Sequence, residues 1–196
     1  MHVSIAIVRS LIEELELRGE AGSALLTSVG LSSALLDDPL ERVDIETYVR
    51  LVDGALAVTG DERLGLAIGS RVPTTTVHVV AHAALACRTL RDAWLWFSNA
   101  SRLVLSEGRF SLRDDDGVFE FVYEHPVMPR RLATYDADFC LALIYRIARA
   151  IAPNAALYRV EFRHEAPRDI APYKHVFDAD VRFGCAENAI FGDARA

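Results

Sequence analysis

The chain has 196 residues, 52% of them hydrophobic, with 21 Lys and Arg against 28 Asp and Glu for a formal net charge of −7. That length and apolar content suit one domain with a substantial core and argue against disorder. The acidic balance, with no basic block anywhere, argues against a domain that grips nucleic acid by itself.

Met1-His2-Val3-Ser4-Ile5 carries no positive lead-in, and Glu13-Glu14 follows too soon for a secretory signal. The longest mostly apolar run, Val77 to Cys87, is far short of a membrane span. Cys87, Cys140 and Cys185 are odd in number and widely spaced, which reads as reduced thiols rather than a disulfide framework. The expectation is a cytoplasmic protein without a membrane partner.

In chain order, Ile5, Val8, Ile12 and Leu15 recur at helical spacing, with Gly19 placed to end the helix. Ser23-Ala24-Leu25-Leu26 and Ser33-Ala34-Leu35-Leu36 form a near repeat, read as two small helices before Pro39. Asp44 is placed to cap a helix bearing Ile45, Val49, Val52 and Leu56, closed by Gly60. Leu64, Leu66 and Ile68 belong to another short helix, and Thr74, Thr75 and Thr76 offer caps for one from Val77 to about Cys87. Thr89 can cap a helix over Leu90 to about Leu105, whose broad apolar band predicts two separate contacts.

The pattern changes at Gly108. Phe110 and Leu112 alternate with polar neighbours, Asp114-Asp115-Asp116-Gly117 predicts a hairpin turn, and Val118 to Tyr123 returns as a strand. Pro129 to Ile151 reads as a central helix, nearly apolar all round in its second half. Tyr158, Val160 and Phe162 alternate with Arg159, Glu161 and Arg163, then Pro167 stops the strand. A helical turn near Tyr173 to Phe177 and strands at Asp180–Phe183 and Asn188–Phe191 complete a β-β-α-β-α-β-β back half. The expected fold is therefore α+β: a helical N-terminal half packed on a small, mainly antiparallel sheet with a central apolar helix. We read residues 1–196 as a single domain, with a helical part over 1–106 and an α/β part over 107–196.

Few residues point to chemistry. His78 and His82 stand four apart, a spacing that can hold a metal, but Val79-Val80-Ala81 lies between them in place of a zinc-peptidase glutamate. The bland reading, two buried or pocket-lining histidines, is preferred, and no metal is assigned. Asp114 to Gly117 lacks the later ligands of a calcium loop. Glu120 and Glu124 fit the wet face of a strand as well as a carboxylate pair. No nucleophile elbow, phosphate loop or cofactor motif occurs, and Cys140 suits an inert core thiol. Trp94, Trp96, Phe97, Phe119, Phe121, Tyr123, Tyr135 and Phe139 lie on elements expected to pack together. They are first of all core. A functional reading makes Trp94, Phe121, Tyr123, Tyr135, His78 and His82 the lining of an apolar pocket for a small organic effector.

Several segments together resemble the AraC/XylS-type transcriptional regulators, in the part that carries the arabinose-binding-type effector domain. They are Asp38-Pro39-Leu40-Glu41-Arg42-Val43-Asp44 with Tyr48 and Leu51, then Thr59-Gly60-Asp61-Glu62-Arg63-Leu64-Gly65-Leu66-Ala67-Ile68-Gly69, then Cys87-Arg88-Thr89-Leu90-Arg91-Asp92-Ala93. Val160-Glu161-Phe162-Arg163-His164, Tyr173, Val181-Arg182-Phe183-Gly184, Asn188 and Phe191 follow in order. One departure is Val77-His78-Val79-Val80-Ala81-His82, where the family often carries glycine. The resemblance implies a non-enzymatic sensing and homodimerising domain. It implies DNA contact only through a C-terminal pair of helix-turn-helix motifs that these 196 residues do not include. The alternative is a stand-alone sensor or protein-interaction domain; an enzyme fits least, since no acid, base and nucleophile converge. The exposed band on Leu90–Leu105 and the helix Pro129–Ile151 are the candidate dimer surfaces.

Overall fold

A computed structural model describes residues 1–74, 78–115 and 117–193. Helix α1 (Ile5–Leu17) starts where Ser4, in extended backbone, accepts a hydrogen bond from the Ala6 N–H, and it ends before Gly19 at φ 79°. Ser4 also closes β1 (His2–Ser4), which pairs antiparallel with β2 (Arg42–Asp44). Strands of three residues are too short to show alternation, so this ribbon left no mark in the sequence pattern. Between them lie α2 (Gly22–Ser28) and a 3-10 turn at Ser33–Asp37, the two members of the near repeat.

Asp44 accepts from the Thr47 N–H at 2.8 Å and starts α3 (Ile45–Thr59), which Gly60 closes in the left-handed conformation. Helices α4 (Leu64–Arg71), α5 (His78–Leu85) and α6 (Leu90–Ala100) follow. Thr89 caps α6 by accepting from the Asp92 N–H. The expected caps Thr75 and Thr76, and the helix start at Val77, lie outside the described residues. The helix expected to run to Leu105 gives way at Ala100 to a 3-10 turn, Ser101–Leu103. Ser98 and Asn99 explain the change: both side chains donate back to carbonyls one turn earlier, of Trp94 and Leu95, which competes with continuation of the helix.

The back half follows the expected order. Strands β3 (Arg109–Asp115) and β4 (Val118–Glu124) form a hairpin, with Gly117 at φ 86° in the turn; Asp116 lies outside the described residues. After a 3-10 turn at Arg130–Leu132 comes α7 (Ala133–Ile151), four residues later than Pro129 suggested. Then come β5 (Leu157–Glu161), α8 (Ala171–Val176), β6 (Asp180–Arg182) and β7 (Asn188–Asp193). The five strands are ordered β3-β4-β7-β5-β6, with β5 and β6 alone running parallel.

Helix α7 is the axis of the molecule: every residue from Tyr135 to Tyr145 is buried. It is thereby removed from the candidate dimer surfaces, since an apolar surface already covered by the chain's own sheet and helices is not open to a partner. Its closest neighbour is α4. A Cβ on Gly65 would overlap the Tyr135 carbonyl oxygen, and one on Gly69 would stand 2.5 Å from that of Phe139. A second correction concerns β5. Tyr158 is 41% exposed instead of sharing the inner face with Val160 and Phe162. The register shifts between Leu157, opposite Gly192, and Arg159, opposite Phe191, so Tyr158 is the extra residue of a bulge and the alternation changes parity there.

Candidate functional site

Strand β4 points Phe119, Phe121 and Tyr123 inward by simple alternation. Beyond Tyr123 the chain leaves the sheet through Glu124, His125 and Pro126 and reaches the first turn of α7, which carries Asp136. The Tyr123 hydroxyl donates to Asp136 Oδ2 at 2.7 Å, and His125 Nδ1 stands 3.2 Å from Asp136 Oδ1. Two residues on, Asp138 projects from another side of the same helix, because each residue turns the helix by about 100°. It meets a second pair of the same kind: the Tyr173 hydroxyl donates to Oδ2 at 2.6 Å, and His164 Nε2 lies 3.0 Å from Oδ1. Two carboxylates on one apolar helix thus each hold a tyrosine and a histidine brought from elsewhere in the chain.

The protonation of the second group follows from its partners. His164 Nδ1 lies 2.9 Å from the Glu165 carbonyl oxygen, which can only accept, so that nitrogen carries hydrogen. An ionised Asp138 can likewise only accept. Burial disfavours the His164 imidazolium, but the hydrogen bond and charge of Asp138 outweigh it and hold His164 above its ordinary 6.5. Burial also pushes the Asp138 carboxyl up from 3.8, with His164 and Tyr173 pulling the other way. At the first group, burial and the neighbouring Asp136 charge push the Tyr123 hydroxyl and the Cys140 thiol well above their usual values. Cys140 is therefore a neutral thiol, unsuited to attack as a nucleophile.

Of these residues, Tyr123, His125, Asp136, His164 and Glu165 border a cleft of about 900 Å³. Its walls are the end of β4 with the following loop, the start of α7, and the segment Arg163–Glu165 after β5, with Asn188 of β7 at one side. The His125 ring is only 2% exposed, and its Nε2 has no hydrogen-bond partner among the described residues. Asp136 and Asp138 are each engaged by two donors, so neither is poised as a free base. The cleft is lined mainly by polar and charged side chains.

Of the six residues singled out from sequence, Trp94, Phe121 and Tyr123 share one aromatic group through Phe110. Tyr123 borders the cleft. Tyr135 is buried in α7, its ring parallel to that of Phe139, while Thr134 and Asp136 on either side face the cleft. Trp94 and Phe121 stack at 4.2 Å within an aromatic group that includes Phe97 and Phe110. His82 is exposed on α5, and the His78 side chain lies outside the described residues. Beside the aromatic group is an apolar void of about 30 Å³, bordered by Ile7, Phe97, Ser101 and Phe139 among others. That is room for about one water. Sequence reading passed over His125, Asp136, Asp138 and His164. The signal was Asp136-Ala137-Asp138 inside an otherwise apolar helix, since charges buried there require partners.

A family profile described as the arabinose-binding domain of AraC transcription regulators, N-terminal, matches residues 19–196. The ornithine utilization regulator of Pseudomonas aeruginosa is 23% identical over 182 residues, which is 92% of this chain and 54% of that protein. The transcriptional regulator CdpR of P. aeruginosa superposes with a TM-score of 0.65 at 17% identity, over 95% of this chain and 54% of that one. The chain spans about half the length of these regulators. The fold is also shared with H-NOX domains: a T. tengcongensis H-NOX variant gives a TM-score of 0.56 at 16% identity, covering 95% of this chain and 94% of that one. Among the described residues, Trp94 and Phe121 stack between helix and sheet, and the void beside that aromatic group is about 30 Å³. No helix among the described residues is long and apolar enough to cross a membrane. From the profile match over nearly its whole length, the chain belongs to the family of arabinose-binding N-terminal domains of AraC-type transcription regulators.

Proposed function

We propose that this chain is the ligand-sensing part of a cytoplasmic bacterial transcription factor, non-enzymatic, and that its small organic effector binds in the cleft beside Asp136 and His164. The observation that carries this reading is the cleft itself. It is large enough for a small molecule, lined by convergent polar groups, and built directly onto the central helix. The effector site then lies at the end of α7 rather than within the aromatic core, where Trp94 and Phe121 already fill the space. A ligand there that prefers one setting of α7 over another biases a helix in contact with both α4 and the sheet, and so shifts the states available to the whole domain. In the full-length protein, an attached helix-turn-helix unit reads DNA, and two copies associate through the α6 surface. The test is the full-length regulator on its own promoter DNA, followed by fluorescence anisotropy against a metabolite panel. An effector should change DNA affinity 5–150-fold, the usual range of allosteric coupling energies of about 1–3 kcal/mol. An effector whose action survives His125→Gln and Arg163→Gln unchanged would place the sensing site elsewhere.

A further inference from the structure

The cleft is richer in uncommitted positive groups than its composition suggests. Glu124 pairs across the hairpin with Arg109 at 3.6 Å. Asp136 is engaged by Tyr123 and His125, and His164 is held between Asp138 and the Glu165 carbonyl. What remains is Arg130, Arg163, the buried Nε2 of His125, and a single carboxylate, Glu165. Neither guanidinium has a hydrogen bond or close ion pair to a described residue. Glu187, whose charge Arg163 feels, is itself gripped by Arg113 at 2.8 Å. The first turn of α7 borders the same space through Ala133 and Thr134, and no side chain caps it.

We propose that the cleft is selective for a small organic acid, with Arg163 and Arg130 pairing its carboxylate beside the unpartnered ring nitrogen of His125. The inference rests on the reading of the cleft as the effector site. The two unpaired guanidiniums decide the chemistry, and beside them His125, whose Nδ1 lies 3.2 Å from Asp136, leaves its second ring nitrogen as an open hydrogen-bonding position. A planar guanidinium matches a carboxylate in a bidentate geometry that a neutral amide does not reproduce.

The test uses the 196-residue protein with labelled histidine rings. Succinate and benzoate are titrated beside succinamide, benzamide and benzylamine, with nitrogen shifts and calorimetry as readouts. The carboxylates should move the His125 ring signal and bind on the order of tenfold or more tighter than their amides, as loss of a charge-assisted contact implies. Arg163→Gln, at an exposed side chain, should weaken the carboxylates by roughly tenfold and leave the folded spectrum intact, with Arg163→Lys recovering part of the loss. If the amides or the amine move the His125 signal and bind as tightly as the acids, the carboxylate assignment falls and the cleft remains the binding site. If no probe moves that signal, or binding shifts only residues remote from the cleft, both readings fall.

Discussion

Asp138 has no exposed surface, and a lone carboxylate there would be severely penalised. His164 and Tyr173 offset part of the penalty by supplying two hydrogen bonds and one positive charge. Deleting one member of such a pair leaves the other charge buried. His164→Ala should therefore cost about 3 kcal/mol in urea unfolding at neutral pH. The same contact sets a pH dependence. His164 is raised above 6.5 in the fold, so its contribution is fully present below the unfolded value and is lost as pH rises through the folded one. Asp138 is raised as well, from 3.8, and acts in the same direction at lower pH. Stability should decline as pH climbs from about 6.5 toward alkaline values, and His164→Gln should flatten that decline. An unchanged slope in the variant would show that another group governs it.

At the scale of elements, the contact of α4 with α7 positions everything near the cleft. Gly65 and Gly69, one turn apart, let the backbone of α4 rest on the carbonyls of Tyr135 and Phe139. In sequence these glycines read as scattered helix positions, and nothing local distinguishes a close helix crossing from an ordinary weak spot. Gly65→Ala places a methyl where a backbone oxygen already sits, and backbone cannot step aside as a flexible side chain can. A loss of about 1–3 kcal/mol or more is expected in thermal or denaturant unfolding. Because Tyr135 precedes Asp136, the variant should also shift the His125 ring signal. A variant as stable as the parent would mean that the two helices do not approach this closely in solution. The bulge at Tyr158 is a similar case: only pairing with β7 reveals which residue of an alternating run is extra.

For the whole molecule, burial of α7 leaves the α6 surface as the candidate for self-association. Leu95 and Trp96 of α6 and Leu103 of the 3-10 turn that follows are 43%, 37% and 52% exposed. Trp96 is part-anchored, its indole donating to the Val80 carbonyl at 3.0 Å, so it presents a fixed edge rather than a loose ring. Sedimentation equilibrium should find a dimer that Leu103→Glu dissociates, because a charge in the centre of an apolar interface is left unpaired. A parent chain that stays monomeric at high concentration would remove this surface from the mechanism.

Local signals were legible wherever short-range physics decides the outcome. The caps at Asp44 and Thr89, the stops at Gly19 and Gly60, the Asp-Gly hairpin and the order of the back-half elements follow from hydrogen bonding and side-chain period within a few residues. The family was legible too, because its motifs are spread along the chain in a recognisable order. The site was not. Tyr123 and Asp136 are 13 residues apart, His164 and Asp138 are 26 apart, and Tyr173 and Asp138 are 35 apart, so only the closed fold brings them together. The aromatic side chains, read first of all as core, pack against one another where helix and sheet close on them. The sequence by itself determined the elements, their order and the polar residues that had to find partners. The tertiary structure decided which partners they found, since burying charge beside an apolar core is tolerated only where distant segments meet to satisfy it.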